Sequence, residues 1–228
     1  GTKRFVPDGH IADLLLVAAR RAGTSGEDGM ALFAVPADTK NISRRRLPAM
    51  DQTRQQAEIQ LDGVDVPADA QLGGGSTNWA ALSRGLDLAG VCLAAEQVGG
   101  AQRCLDLAVA YAKEREQFGR PIGSFQAIKH KCADMMVKVE SARSAVYYAA
   151  CAAAEENDEL PVVASIAQAA ASDAYFECAG DAIQIFGGVG FTWEYDIQLY
   201  FKRARSSAVL LGDAAHHREL VARRIGLG

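Results

Sequence analysis

The sequence predicts an α+β fold, mainly α, with a sheet region over residues 1–72 and a helical bundle over residues 73–228. Three observations carry this. Short runs rich in Val, Ile, Leu and Phe fill the first third between turn residues. The composition changes at Gly73-Gly74-Gly75. Beyond it, Ala-rich stretches with apolar residues at helical spacing run between Gly and Pro punctuation.

In the first region, Leu14 to Ala19, Ala31 to Val35 and Ala57 to Leu61 read as strands. Pro7-Asp8-Gly9, Gly23 to Gly29 and Asp62-Gly63 supply the turns. In the second, Ser76 or Thr77 is placed to cap a helix running to about Arg115. Ser124 is placed to cap another, through about Asn157, and Pro161 sits near the first turn of a third that ends at Gly187-Gly188. Small side chains at Ala149, Ala150 and Ala152 to Ala154, and at Ala167 and Ala169 to Ala171, favour the helix and let helix axes approach closely, so a bundle is the economical packing.

The chain has 228 residues, 49% of them hydrophobic, enough for a sizeable core. Its formal charge of −4 is spread thinly, which excludes a nucleic-acid footprint. No apolar run reaches membrane-spanning length and no leader pattern opens the chain, so a soluble, cytoplasmic protein is expected. Cys92, Cys104, Cys132, Cys151 and Cys178 lack metal-ligand spacing and read as buried free thiols.

Four motifs are candidates for chemistry. Arg115-Glu116-Gln117-Phe118-Gly119 ends a helix, where the Arg fork either clamps an anion such as a pyrophosphate or faces the helix dipole. Gln126, in the first turn after Ser124, lies beside unpaired backbone donors that suit an anion or a flavin edge, or is simply solvated. Gln184-Ile185-Phe186-Gly187-Gly188 ends a helix in glycines that serve as a plain cap or admit a ligand to the backbone. Adjacent His216 and His217 point different ways on a helix, which argues against a shared metal and for solvated or capping roles.

In this order and spacing the motifs resemble the acyl-CoA dehydrogenase family, over essentially the whole chain. Gly1 to Gly9 looks like the middle of that family's β domain. The resemblance implies that residues 1–72 are the C-terminal part of an antiparallel β domain and residues 73–228 an up-and-down four-helix bundle. It also implies FAD at a subunit interface, an acyl-CoA substrate, an electron-transfer flavoprotein as acceptor, and a homo- or hetero-oligomer such as a dimer of dimers. By the same resemblance, Arg115, Phe118 and Gln126 touch the pyrophosphate or flavin region, and Gln184, Gly187 and Gly188 line the adenosine side.

The departures cluster. Where the family has its catalytic Glu this chain has Leu211, and the alternative base position on the first long helix is Ala89. Asp87-Leu88-Ala89-Gly90 lacks the family's substrate-side Arg, and Asp213 and Ala215 stand where Thr and Gln contact FAD. Matches thus fall on residues serving a neighbour's flavin and losses on the chain's own site, a pattern resembling the base-less subunit of heteromeric acyl-CoA dehydrogenases. Two other readings stay open: an enzyme using Asp213 as a displaced base, and a helical assembly module that binds no cofactor. Straight-chain, branched and steroid side-chain CoA esters are all compatible substrates.

Overall fold

The computed structural model describes residues 1–73 and 79–227; the expected caps Ser76 and Thr77 lie outside the described residues. The chain divides into two compact units, Gly1–Gly85 and Leu86–Gly228.

The first unit holds five strands: β1 (Thr2–Pro7), β2 (Leu14–Arg20), β3 (Met30–Pro36), β4 (Ile42–Leu47) and β5 (Gln56–Leu61). They form an antiparallel sheet in the order β1-β5-β4 and an antiparallel β2-β3 hairpin. Alternation along β2 sends Leu15 and Val17 into the core with Ile59 of β5 and Val6 of β1, while Leu14 and Leu16 face outward. The apolar runs foretold β2, β3 and β5. The other two strands are charged: β4 reads ISRRRL and β1 reads TKRFVP, both mostly exposed. Charged residues on edge strands discourage pairing with other chains, and they also hide the strand from a hydrophobicity reading.

Central β5 carries a buried acid, Glu58, which accepts hydrogen bonds from Arg45 on one flanking strand at 3.1 Å and Arg4 on the other at 2.7 Å. The Arg45 guanidinium, with Arg4 behind it, holds the Glu58 carboxyl below its usual range.

The second unit is helical. Three long helices, α1 (Trp79–Glu114), α2 (Gln126–Ala154) and α3 (Leu160–Phe186), are followed by two shorter ones, α4 (Ile197–Ser207) and α5 (Ala214–Arg224). Between α1 and α2 sits a minimal hairpin of β6 (Glu116–Gln117) and β7 (Arg120–Pro121). Helix α3 packs against α2, α4 and α5 and is buried on nearly every side, as its run of alanines between Leu160 and Phe186 requires. One core layer joins Val91, Ala94 and Val98 of α1 to Ala142 and Val146 of α2 and Ala164, Ala167 and Ala171 of α3. A second layer centres on Tyr175, Met135 and Cys104. There Gly100 of α1 is a close-approach position: a Cβ on it would stand 2.4 Å from Cζ of the buried Tyr175 ring.

Several expectations need correcting. Ser124 does not cap α2. It ends a short 3₁₀ turn (Ile122–Ser124), Phe125 holds the cap position without a side-chain bond, and the helix begins at Gln126. Helix α2 stops at Ala154 rather than Asn157, because the Asn157 side chain turns to accept from Glu159 N–H at 2.9 Å. The thiols are free but not all buried. Cys104 and Cys178 are buried, Cys132 is half-buried, and Cys92 and Cys151 lie on exposed helix faces. Burial pushes the inner thiols up, Cys178 to about 12, which keeps them protonated and unreactive.

Candidate functional site

The Arg115 motif is built by the end of α1. Tyr111 O accepts from Arg115 N–H at 2.9 Å, and Arg115 O accepts from Ile122 N–H at 2.8 Å, which closes the chain into the β6–β7 hairpin. Phe118 (φ 56°) and Gly119 (φ 74°) occupy the two-residue turn, both in the left-handed region that such hairpins need. Gly123 allows the return strand to lie on α1, since a Cβ there would stand 2.8 Å from the Ala112 carbonyl oxygen. The result is a rigid platform that presents its side chains outward. Arg115 is exposed, Phe118 is 91% exposed, and Gln126 opens α2 with its amide 3.3 Å from His130 Nε2. Phe125 braces the platform, edge-on to Phe118 at 6.0 Å and under the Arg120 guanidinium at 4.1 Å. The Ser124 hydroxyl is buried there without a partner among the described residues.

The glycine motif ends α3. Gly187 (φ 66°) caps the helix and donates its N–H to Ile183 O. Gly187 and Gly188 face open space, so their backbone is accessible to a ligand. With Gln184 they line a cavity of about 480 Å³ whose walls include Ile183, Phe191 and Phe201. Gln184, Gly187 and Gly188 thus share one cavity, as expected of neighbours in a motif. Arg115, Phe118 and Gln126 are not on its wall; they belong to the hairpin platform. An aromatic cluster links the two: Tyr111 stacks on Phe186 at 4.2 Å, and Tyr195 meets both rings edge-on. Sequence reasoning missed Tyr111, Phe191 and Phe201. Tyr111 lies one turn before Arg115 and Phe191 closes the glycine motif, whereas Phe201, on α4, carries no such signal.

At the expected base position, Leu211 takes a left-handed backbone (φ 63°) and is half-exposed, followed by Gly212 (φ 106°). Asp213 is the N-cap of α5, its Oδ1 accepting from His216 N–H at 2.8 Å. That carboxylate completes the helix end, a structural role the motif reading had not assigned to it. Ala89 lies on an exposed face of α1.

The two histidines behave differently. His216 is exposed, whereas His217 is buried, contrary to the expectation of a solvated or capping ring. Its Nδ1 lies 3.4 Å from Ser165 Oγ of α3. Burial, with the neighbouring His216 next in weight, pulls its pKa below the usual histidine value. No group of three potential metal ligands occurs among the described residues, and no helix there is long and apolar enough to cross a membrane.

Residues 79–226 match the profile of the acyl-CoA dehydrogenase C-terminal domain. The chain belongs to the acyl-CoA dehydrogenase family. It is 42% identical over 209 residues to the acyl-CoA dehydrogenase IpdE2 of Mycolicibacterium smegmatis, which covers 91% of this chain and 57% of that protein. Among solved structures it resembles butyryl-CoA dehydrogenase from Megasphaera elsdenii, with a TM-score of 0.92 at 32% identity over 99% of this chain and 59% of that one. It also resembles a chain of the ChsE4-ChsE5 complex from Mycobacterium tuberculosis, with a TM-score of 0.89 at 29% identity over 100% of this chain and 59% of that one. The chain therefore spans a little over half the length of each of these relatives.

Proposed function

We propose that this chain is a component of an FAD-dependent acyl-CoA dehydrogenase that completes a flavin site at a subunit interface while lacking a catalytic base of its own. The observation that carries this reading is the outward presentation of Arg115, Phe118 and Gln126 around a braced hairpin, joined through the Tyr111–Phe186 stack to a cavity with glycine backbone open to a ligand. The residues fit a dinucleotide in character. Arg115 offers a planar fork for a pyrophosphate, and the α2 N-terminus adds unpaired N–H donors. Gly187 and Gly188 leave room that any Cβ would take, and the Gln184 amide supplies a donor and an acceptor for the adenosine side.

When bound, FAD supplies hydride acceptance from the β carbon of an acyl-CoA thioester. Removal of the α proton needs a carboxylate with a raised pKa in an apolar pocket. Leu211 cannot supply one, and the Asp213 carboxylate is engaged at the end of α5. On this reading the bundle holds and orients the dinucleotide for a partner chain that carries the base, in a heteromeric assembly reducing an electron-transfer flavoprotein. The heteromeric solved relative supports that arrangement. Fatty-acyl and steroid side-chain CoA esters both remain within the substrate class.

The test is Arg115→Ala, followed by flavin content and oligomer size. Lost flavin with intact assembly is the expected result. Retained flavin, or flavin lost only because the oligomer falls apart, favours a module that merely completes the assembly.

A further inference from the structure

Helix α5 is anchored at its C-terminal end by a buried polar chain that runs through three helices. Arg224 of α5 donates through Nη2 to Asp87 Oδ1 of α1 at 3.0 Å, and through Nη1 to Ser165 Oγ of α3 at 2.9 Å. It also donates to the Pro161 carbonyl oxygen. His217, two turns earlier on the same face of α5, brings Nδ1 to the same Ser165 hydroxyl at 3.4 Å. Ser165 and His217 are 1% and 7% exposed, so water screens little at this end of the cluster, although the Arg224 and Asp87 side chains are partly exposed.

One serine hydroxyl therefore serves a permanent cation and an imidazole ring. A neutral ring fits. A protonated ring places a second positive charge beside a hydroxyl already committed to Arg224, and its Nε2–H is buried with no hydrogen-bond partner; the Leu211 backbone favours the charge, but burial and the neighbouring His216 outweigh it. The charged groups around His217 do not offset this. Asp87 is spent on Arg224 and Asp213 on the α5 N-cap, His216 adds like charge, and the Arg218–Asp173 ion pair on the outer face of α5 and α3 is already closed.

We propose that His217 is a proton-sensitive latch on α5, closed while the ring is neutral and opened by its protonation, releasing α5 together with the Leu211–Asp213 bend. The lowered pKa of the buried ring agrees with this. The open state binds the proton more tightly than the closed one, so opening grows as pH falls below the ordinary histidine value. It rises by about tenfold per pH unit and levels off below the lowered pKa of the closed form. The latch lies one turn beyond the Leu211–Asp213 bend and depends only on this chain's own packing, not on any bound cofactor.

Hydrogen exchange of residues 214–224, corrected for the intrinsic pH dependence of amide exchange, tests the latch in the intact protein. Wild type should lose protection there on acidification while the middle of α2 does not, and His217→Gln, which cannot titrate, should show a flat profile. His216→Gln, at an exposed site, should keep the acid response. The same acid response in His217→Gln, or none in wild type, overturns the proposal. Should His217→Gln fail to fold, NMR titration of the His217 ring in wild type decides: a pKa at or above that of a free histidine overturns it, and a depressed one supports it.

Discussion

Tyr111 of α1 lies flat on Phe186 of α3, ring centroids 4.2 Å apart and planes 13° from parallel. Tyr111 is one turn before Arg115 and Phe186 two residues after Gln184, so this contact fastens two distant motifs to one end of the bundle. Phe186 is buried, and Phe186→Ala should cost about 3–5 kcal/mol, the usual loss for a buried aromatic. Chemical denaturation measures this. Unchanged stability would show that the stack does not bind the two ends together.

Adjacent glycines on α1 should respond with opposite signs. Gly100→Ala drives a Cβ into the Tyr175 ring, which is only 2% exposed and cannot withdraw, at a cost of about 1–3 kcal/mol. Gly99→Ala meets open space on an exposed helix face and should stabilise by about 0.5–1 kcal/mol through helix propensity. Urea midpoints of the two variants give the comparison directly.

Asp213→Ala should lose about 1 kcal/mol as the N-cap of α5 disappears, while Asp213→Asn keeps an acceptor and most of that stability. Turnover of the assembled protein separates the cap from a base. Asp213→Asn is expected to retain activity, and its complete loss with flavin content unchanged would restore Asp213 as a displaced base.

Acid should loosen the β unit through Glu58. Its folded pKa is held below the unfolded value, so its stabilising contribution is full above that unfolded value and fades as pH falls through the folded one. Exchange protection of the β5 amides should therefore drop in acid, and Glu58→Gln should flatten that drop. An identical acid profile in the variant would remove Glu58 as the cause.

Much of this fold is legible in the sequence where local chemistry decides. Pro161 and Gly187 bracket α3 as proline and glycine do at helix starts and ends, and the alanines between them mark a helix buried all round. Strands β1 and β4 escape notice because their arginines and lysine mask an extended backbone whose pairing is set by β5. Ser124 has the chemistry of a cap, but it lies in a 3₁₀ turn that moves the cap to Phe125 and the helix start one residue on. The burial of His217 and the exposure of Cys92 depend on which helix face meets which neighbour, and single-residue spacing does not encode that. Among the candidate site residues, the motifs name Arg115, Gln126 and Gln184, whereas Phe201 joins the cavity wall only once the chain after α3 has turned into α4.

On the proposed function, the bundle end around Arg115 and Gln184 holds a flavin dinucleotide although Leu211 stands at the expected base position. Flavin absorbance of the wild-type chain, purified together with its assembly partners, addresses it most directly. A yellow complex with flavin in stoichiometric proportion to its interfaces is expected, and a colourless, fully assembled complex that takes up no added FAD would rule out a flavin site here.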